Sequence, residues 1–265
     1  MKLTMLGTGN AAVTECYNTC FVLSEGEKHL LVDGGGGNLL LQRFKAAGLK
    51  WQDMRHIIVT HCHIDHLLGI VWMLRFLLQN MNRGKYEGEA YIYGHDKVVE
   101  TLRTLAKLLL SEKENRYLDS RLHLVEVRDG ETVSIDGRDV TFFDIGSTKE
   151  KQFGFSVELE GGRLCCCGDE PYRACEEQYA RGAKWLLHEA FCLSSEVEEF
   201  KPFEKHHTTA AEAARTAAEL GVENLLIYHT EDKNILRRKE LYSAEAREYF
   251  SGNIFVPDDL ETIEL

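Results

Sequence analysis

The hexapeptide HCHIDH at residues 61–66 constrains this chain more than any other feature, because it directly follows the apolar run HIIVT at residues 56–60. A short buried strand gives a rigid platform, and the turn after it lets side chains two residues apart converge on one point. Imidazole and carboxylate groups are the ligands that suit zinc and related metals. The sequence therefore predicts a metal site built from His61, His63, Asp65 and His66. The alternative is a histidine-rich surface turn, but the core strand before the hexapeptide and the apolar helix after it argue against that interpretation.

Short apolar runs alternate with turn residues in both halves of the chain. Strand-like runs such as CFVLS and HLLVD fill the first sixty residues, and a second strand block extends over residues 121–168. Apolar spacing predicts helices over residues 38–47, 67–80, 97–110, 209–220 and 239–249, and one from about residue 172. Two strand blocks flanked by helices predict an α/β fold, a four-layer αββα sandwich of two facing sheets. With three prolines and no linker-like segment, we expect a single domain over residues 1–265.

Charge and composition narrow the class of partner. The formal net charge of −12 argues against a large polyanionic partner, because proteins that bind nucleic acids usually present a basic face. The N-terminus lacks the features of a signal peptide, and the most apolar stretch, residues 67–78, is too short to cross a bilayer. We therefore expect a soluble, cytoplasmic protein with no membrane partner. The eight cysteines lack zinc-ribbon spacing, which predicts thiols rather than disulfides, with residues 165–167 in a buried strand.

Several segments of the chain resemble one superfamily. THCHIDHLLG at residues 60–69 is similar to the H-x-H-x-D-H signature of the metallo-β-lactamase superfamily, and most closely to its ribonuclease Z branch. Further similar segments follow in the same order as in that branch: LGTGNA (6–11), LLVDGGGGN (30–38), CCGDEP (166–171), HEAF (188–191), HHTTAAEAA (206–214) and YHT (228–230). Together they imply the metallo-β-lactamase fold over nearly the whole chain.

The resemblance implies a set of metal ligands. One metal would be held by His61 and His63, with Asp169 bridging to a second metal. The second would be held by Asp65, His66 and His229 together with Asp169. We expect one or two Zn²⁺ ions per chain, with Mn²⁺ or iron as alternatives, because the donors suit all three. Such metals make a water molecule reactive at neutral pH and neutralise charge that builds up on the substrate's oxygens.

One position departs from the family's pattern. The resemblance places a third histidine of the first metal five residues before an aromatic-glycine pair, here Phe153-Gly154, but the corresponding residue is Thr148. A neutral hydroxyl binds zinc far more weakly than imidazole does. Three outcomes stay open: the first site uses water in that place, Asp144 supplies the missing ligand, or only the second site binds metal.

Two residues that are not ligands match catalytic positions of the ribonuclease Z branch. His207 matches a histidine that reaches the scissile phosphate, and Glu189 matches its glutamate partner. A carboxylate that holds an imidazole raises its basicity, which suits proton donation to a leaving oxygen. The alternative for His207 is a helix-start histidine without a catalytic role, next to an N-cap at Thr208 or Thr209. Asp65 is expected to act both as a ligand and as a base, and Lys149 either meets a substrate anion or is simply solvated.

The function that these residues predict is metal-dependent hydrolysis of a phosphodiester, as in ribonuclease Z. The segment FGFSVELEGGRLCCCGD (153–169) leaves no room for the tRNA-binding arm of that branch, so the expected substrate is a small phosphodiester, a cyclic nucleotide or a short RNA. Two alternatives remain open. One is a lactonase or thioesterase on the same scaffold, and the other is a regulatory binding module with a degenerate metal site.

The helical regions after the hexapeptide bear on assembly. Residues 67–78 and 98–110 are more apolar than the outer helices of a monomer require. Relatives in the resembled superfamily pair through the helices that follow the H-x-H-x-D-H motif. We therefore predict a homodimer.

Overall fold

The computed structural model describes all 265 residues, which form two compact units. The first unit comprises residues 1–7, 17–128 and 260–265, and the second comprises residues 8–16 and 129–259. Each unit holds one seven-stranded sheet. Whether the two units combine into the single domain expected over residues 1–265 stays a prediction.

In the first unit, the sheet has the strand order β14-β1-β2-β3-β4-β5-β6. Its strands are β1 (Lys2–Gly7), β2 (Cys20–Glu25), β3 (Lys28–Val32), β4 (Met54–Ile58), β5 (Ala90–Gly94), β6 (Leu122–Glu126) and β14 (Thr262–Glu264). Its helices are α1 (Leu39–Ala46), α2 (Ile64–Asn82), α3 (Asp96–Leu109) and α4 (Glu112–Asn115). Strands β3 to β6 run parallel, and the others pair antiparallel. Apolar residues of α2 such as Ile70, Met73 and Leu77 are fully buried in the core of this unit, so the helical pattern predicted there is confirmed.

In the second unit, the sheet has the strand order β13-β12-β11-β10-β9-β8-β7. Its strands are β7 (Thr132–Ile135), β8 (Arg138–Asp144), β9 (Phe153–Leu159), β10 (Gly162–Cys166), β11 (Trp185–Glu189), β12 (Asn224–Tyr228) and β13 (Asn253–Phe255). Its helices are α5 (Glu177–Ala180), α6 (Val197–Phe200), α7 (Ala210–Leu220) and α8 (Arg238–Arg247). Strands β10 to β13 run parallel, and β7 to β10 pair antiparallel.

The structure refines several boundaries predicted from the sequence. Helix α2 begins three residues earlier than expected, directly after His63. The helix expected from about residue 172 is reduced to a 3₁₀ turn at Ala174–Glu176 and the four residues of α5. Strand β14 was not predicted, because three residues carry too little periodic signal and its pairing with β1 joins opposite ends of the chain.

Local chemistry fixes the ends of α7, which follows the candidate catalytic histidine. The Thr209 hydroxyl accepts a hydrogen bond from the backbone N–H of Glu212 at 3.3 Å, as an N-cap does. At the other end, Gly221 takes a left-handed conformation with φ of 66°. The N-cap predicted at this position is therefore confirmed at Thr209.

The expected thiols are confirmed, and the expected buried strand is confirmed for Cys165 and Cys166, whereas the buried Cys167 comes directly after the end of β10. Cys165 and Cys167 lie in the apolar core of the second unit, whereas Cys166 points to the opposite face and approaches the Tyr228 hydroxyl at 3.5 Å. None of the eight cysteines forms a disulfide. In addition, no helix combines the length and the apolar character that a membrane crossing requires.

Candidate metal centre

The candidate ligands, and Asp33 beside them, follow the carboxyl ends of parallel strands, where open α/β sheets place their sites. In the first unit, Asp33 comes directly after β3, and His61 and His63 come shortly after β4. In the second unit, Asp169 follows β10 and His229 comes directly after β12.

His66 in the first unit is held by a buried carboxylate. Its Nδ1 lies 2.8 Å from Asp33 Oδ2, and both side chains are almost fully buried. A carboxylate can only accept, so Nδ1 carries the hydrogen and Nε2 keeps the lone pair that a metal requires. Asp65 Oδ2 lies 3.5 Å from that Nε2. Asp65 and His66 therefore direct two suitable donor atoms to one place.

Two glycines allow this arrangement. An added Cβ at Gly69 would lie 1.8 Å from the backbone oxygen of Gly34, and one at Gly34 would lie 2.5 Å from the backbone nitrogen of Ile70. The close approach lets Gly34 N–H donate to the His66 carbonyl at 2.9 Å and Gly69 N–H donate to the Gly35 carbonyl at 2.8 Å. The glycine that ends THCHIDHLLG thus anchors the first turns of α2 against the loop after β3.

The tautomer of His61 is fixed through a hydroxyl. Thr60 Oγ1 donates to Asp33 Oδ2 at 2.7 Å, so it accepts from His61 Nδ1 at 2.9 Å and leaves Nε2 of that ring as an acceptor. His61 Nε2 lies 2.8 Å from His63 Nδ1. Two imidazole nitrogens that converge in this way, next to the Asp65 and His66 donors, form a donor set that fits zinc.

In the second unit, four further groups come together. His229 Nε2 lies 3.4 Å from Asp169 Oδ2. Ligand atoms of Glu189, His207 and His229 all lie within 4.8 Å of one another. His229 has a φ of 58°, an uncommon conformation for a residue other than glycine. The structure thus brings together the four residues of this unit that the family resemblance assigned to the site, Asp169, Glu189, His207 and His229.

His207 pairs with the fully buried Glu189, and its own side chain is 14% exposed. His207 Nδ1 lies 3.7 Å from Glu189 Oε2, while Glu189 Oε1 accepts from the Thr208 backbone N–H at 2.5 Å. The ring of Phe191 stacks on His207 with centroids 4.8 Å apart. Burial raises the pKa of Glu189 well above its usual value, and burial together with the neighbouring His229 lowers the pKa of His207 to about 3. The surroundings therefore favour a neutral carboxyl and a neutral imidazole in this pair.

The departure from the family pattern has a clear structural counterpart. Thr148 is exposed, and its hydroxyl lies 3.3 Å from His206 Nδ1. Asp144 Oδ1 accepts from the Gly146 backbone N–H at 2.8 Å, so this carboxylate closes a turn. Lys149 is exposed and donates to the backbone oxygen of Lys205. The groups gathered around His229 in this unit include none of these three residues.

The opening motif LGTGNA has a role that the sequence did not reveal. The Thr230 backbone pairs with this segment, with Asn10 N–H donating to the Thr230 carbonyl at 3.0 Å and Thr230 N–H donating to the Thr8 carbonyl at 3.1 Å. Arg238, 1 % exposed, donates to the hydroxyls of Thr8 and Thr230. The segment and the buried guanidinium together hold the residue next to His229. No sequence signal pointed to Arg238, since an arginine at the start of a helix is ordinarily solvated.

Comparison with known protein families gives a match over most of the chain. The family model described as "Anti-Pycsar protein Apyc1" matches residues 1–239. The chain belongs to this family.

Relatives and solved structures are similar over nearly the full length. Ribonuclease Z of Methanothermobacter thermautotrophicus is 27% identical over 315 aligned positions, which cover 100% of this chain and 97% of that protein. The metallo-β-lactamase fold protein YhfI from Bacillus subtilis has a TM-score of 0.78 at 18% identity and covers 99% of each chain. Human tRNase Z, short form, has a TM-score of 0.74 at 18% identity and covers 100% of this chain and 99% of its own.

These comparisons confirm three predictions from the sequence. The chain has the α/β metallo-β-lactamase fold, it resembles the ribonuclease Z branch, and it is a metal-dependent hydrolase of that superfamily. The individual ligands, the catalytic residues and the metal stay predictions.

Proposed function

We propose that this chain is a metal-dependent phosphodiesterase that cleaves a small phosphodiester, such as a cyclic nucleotide, or a short RNA. The observation that carries the proposal is the His207–Glu189 pair, in which Glu189 is fully buried and which lies beside His229. Hydrolysis of a phosphodiester releases an alkoxide that must be protonated. A histidine paired with a carboxyl group is suited to donate this proton. A curated relative, ribonuclease Z, is named for action on RNA, which supports a phosphodiester substrate.

The proposed metal ligands come from the donor groups of both units. The proposed ligands are His61, His63, Asp65, His66, Asp169 and His229. Zn²⁺ is the proposed metal because imidazole and carboxylate donors suit it, and Mn²⁺ or iron are the alternatives. Bound metal would supply a reactive water and would neutralise charge on the phosphoryl oxygens. The Asp33 carboxylate supports this role, because it leaves Nε2 of His66 as a lone-pair donor.

His207 is the proposed proton donor, with Glu189 as its partner. Glu189 Oε1 is occupied by the Thr208 N–H, so an acid proton on this carboxyl resides on Oε2, the oxygen that faces His207 Nδ1. The two atoms are 3.7 Å apart, so His207 Nδ1 would accept this proton once they approach to hydrogen-bonding distance in the substrate complex. Nε2 would then carry the hydrogen that can be given to a leaving oxygen. We propose Asp65 as the residue that both binds metal and takes the proton from the attacking water.

Three observations favour a small substrate over a folded tRNA. Strands β9 and β10 are joined by a tight turn, with Leu159 paired to Gly162, so no arm is inserted there. The alignment with the archaeal ribonuclease Z is longer than this chain, so that relative carries segments that this chain lacks. The net charge of −12 also disfavours a long polyanion.

The test measures metal content and turnover on the same preparations. Metal per chain is determined by elemental mass spectrometry on the purified protein, and again after loading with zinc or manganese and desalting. We expect bound metal, and hydrolysis of a cyclic nucleotide or a short RNA that is lost after chelation. Turnover of lactones or thioesters, with phosphodiesters untouched, would favour the alternative hydrolase. Absence of bound metal after both loadings would overturn the proposal and favour a regulatory binding module.

The same measurement on variants assigns the metals to sites. Two metals per chain in the wild type would mean that the first site is complete without a third histidine. One metal that persists in His61→Ala and disappears in Asp65→Ala and His229→Ala would mean that only the second site is competent. The exposed Thr148 and the turn formed by Asp144 favour this second outcome.

A homodimer is also proposed, from an apolar stripe on α2. Ile64, Leu68 and Trp72 are spaced four residues apart, so they share one face of the helix, and they are 68%, 38% and 40% exposed. A row of this kind is the expected centre of a contact with a second copy. We expect a dimer mass by light scattering at micromolar protein and a monomer for Trp72→Glu. A wild-type monomer under these conditions would contradict the proposal.

We also propose a cytoplasmic location. The absence of disulfides among eight cysteines is typical of proteins in a reducing compartment. Export of the chain to an oxidising compartment in its native cell would contradict this assignment.

A further inference from the structure

Gln152 lies between β8 and β9, directly before the first residue of β9. It is only 2 % exposed, and its side-chain amide donates from Nε2 to Asp169 Oδ1 at 2.5 Å. Its backbone is held as well, because the Ile145 N–H donates to the Gln152 carbonyl at 3.2 Å. A buried glutamine thus donates an amide hydrogen bond to a proposed metal ligand.

The backbone before Asp169 is shaped to admit this amide. Gly168 has a φ of +79°, and a Cβ added there would lie 2.8 Å from Gln152 Nε2. The Tyr228 hydroxyl donates to the Gly168 carbonyl and so holds this peptide in place. Any larger residue at 168 would be strained in its backbone and would collide with the amide.

The contact belongs to a clamp formed by one short segment. Ser147, at the start of the segment 147–152, donates from its hydroxyl to Glu170 Oε1 at 2.5 Å. Gln152, at its end, donates to Asp169 at the same distance. The two ends of the segment therefore hold two adjacent residues. The family resemblance implies a metal-binding histidine in this segment, at the position of Thr148. In this chain the segment instead donates a hydrogen bond to Asp169, a proposed metal ligand.

We infer that Gln152 is a positioning residue that orients Asp169 for metal binding, an inference that rests on the proposed function. The amide engages Oδ1, and the other oxygen, Oδ2, faces His229 Nε2 at 3.4 Å. A carboxylate held at one oxygen by a buried donor has a single preferred orientation. Residues that orient ligands in this way usually contribute strongly to metal affinity.

The test compares zinc affinities, measured by competition with a chromophoric chelator, for the wild type, Gln152→Leu and Gln152→Glu. Leu removes the donor at similar volume, and Glu keeps the shape but replaces the donor with a carboxylate. We expect both variants to bind zinc about 10–100-fold more weakly. The matched control is Gln79→Leu, because Gln79 Nε2 also donates to a carboxylate, Glu114 Oε1 at 3.5 Å, away from any proposed ligand. This control should keep the wild-type affinity.

The possible outcomes distinguish a failure of the positioning role of Gln152 from a failure of the proposed phosphodiesterase function. Wild-type zinc affinity in both Gln152 variants would overturn the positioning role and leave the hydrolase proposal intact. A wild-type chain that binds no zinc would overturn both. If Gln152→Leu fails to fold, Gln152→Glu decides, because it keeps the size and shape of the native side chain. The absorption spectrum of the cobalt-loaded protein gives a second readout, and it should change in Gln152→Glu and stay unchanged in Gln79→Leu.

Discussion

Replacing His207 with alanine should lower kcat for phosphodiester hydrolysis by about 10²–10⁴-fold, the usual contribution of a positioned proton donor. The metal content should stay at the wild-type level, because the variant keeps all six proposed ligands. The ring of His207 is stacked on Phe191 and paired with Glu189, so its removal takes away one polar group from a preformed arrangement. The measurement is steady-state kinetics of the zinc-loaded protein on a cyclic nucleotide, together with metal analysis of the same sample.

The adjacent histidine provides a matched control. His206 touches Thr148 instead of Glu189, so His206→Ala should stay within a few-fold of the wild-type rate. Glu189→Gln should produce a smaller loss than His207→Ala, since it keeps the imidazole but removes the acid proton from Oε2. Equal rates for His207→Ala and the wild type would remove His207 from the mechanism. That result would favour the lactonase or thioesterase alternative, whose chemistry does not require this residue.

The largest expected effect on stability comes from Arg238. Its guanidinium is 1 % exposed, and its Nη1 donates to the hydroxyls of Thr8 and Thr230 at 2.8 and 3.0 Å. Its Nη2 donates to the Pro257 carbonyl at 2.9 Å and to Asp258 Oδ1 at 3.3 Å. Arg238→Met keeps the apolar stem but leaves these acceptors without their donor. We expect the free energy of unfolding to fall by about 3–5 kcal/mol, because three buried neutral acceptors lose their donor at a cost of about 1–3 kcal/mol each.

The control for Arg238 removes only the charge of its exposed partner. Asp258 is 58% exposed, so Asp258→Asn should cost less than about 1 kcal/mol. Urea denaturation of the metal-free proteins gives both values without a contribution from metal binding. A loss in Arg238→Met as small as that in Asp258→Asn would show that the buried hydrogen bonds of the guanidinium contribute little.

Much of the candidate site could be predicted from the sequence, because its residues sit at the ends of strongly apolar strands. His61, His63, Asp65 and His66 follow β4, and the residue types alone indicate metal chemistry. The apolar period of α2 was clear because its core face repeats over nineteen residues. The assignments of Asp169, Glu189, His207 and His229 came from the family resemblance, and the structure brings these four side chains together.

The supporting contacts were beyond the reach of the sequence. Gln152 and Asp169 are seventeen residues apart, and their contact depends on how β9 and β10 meet their flanking loops. Arg238 and Thr8 are separated by 230 residues. No local pattern encodes such a pairing, since a glutamine or an arginine reads as a solvated side chain until its tertiary partners are known. The same holds for Thr60, whose hydroxyl fixes the His61 tautomer through a contact with Asp33 that no local pattern indicates.

The contact between Gly34 and Gly69 limits which substitutions this protein can accept in evolution. With 1.8 Å between a Cβ at position 69 and the Gly34 oxygen, a side chain there would push the start of α2 away from β3. Asp65 and His66 lie in the first turn of α2, so this displacement would move both donors. A lineage that gave up metal chemistry would be released from this restriction. The identity of residue 69 in relatives of this chain should therefore serve as a simple marker of which ones still keep a working metal centre.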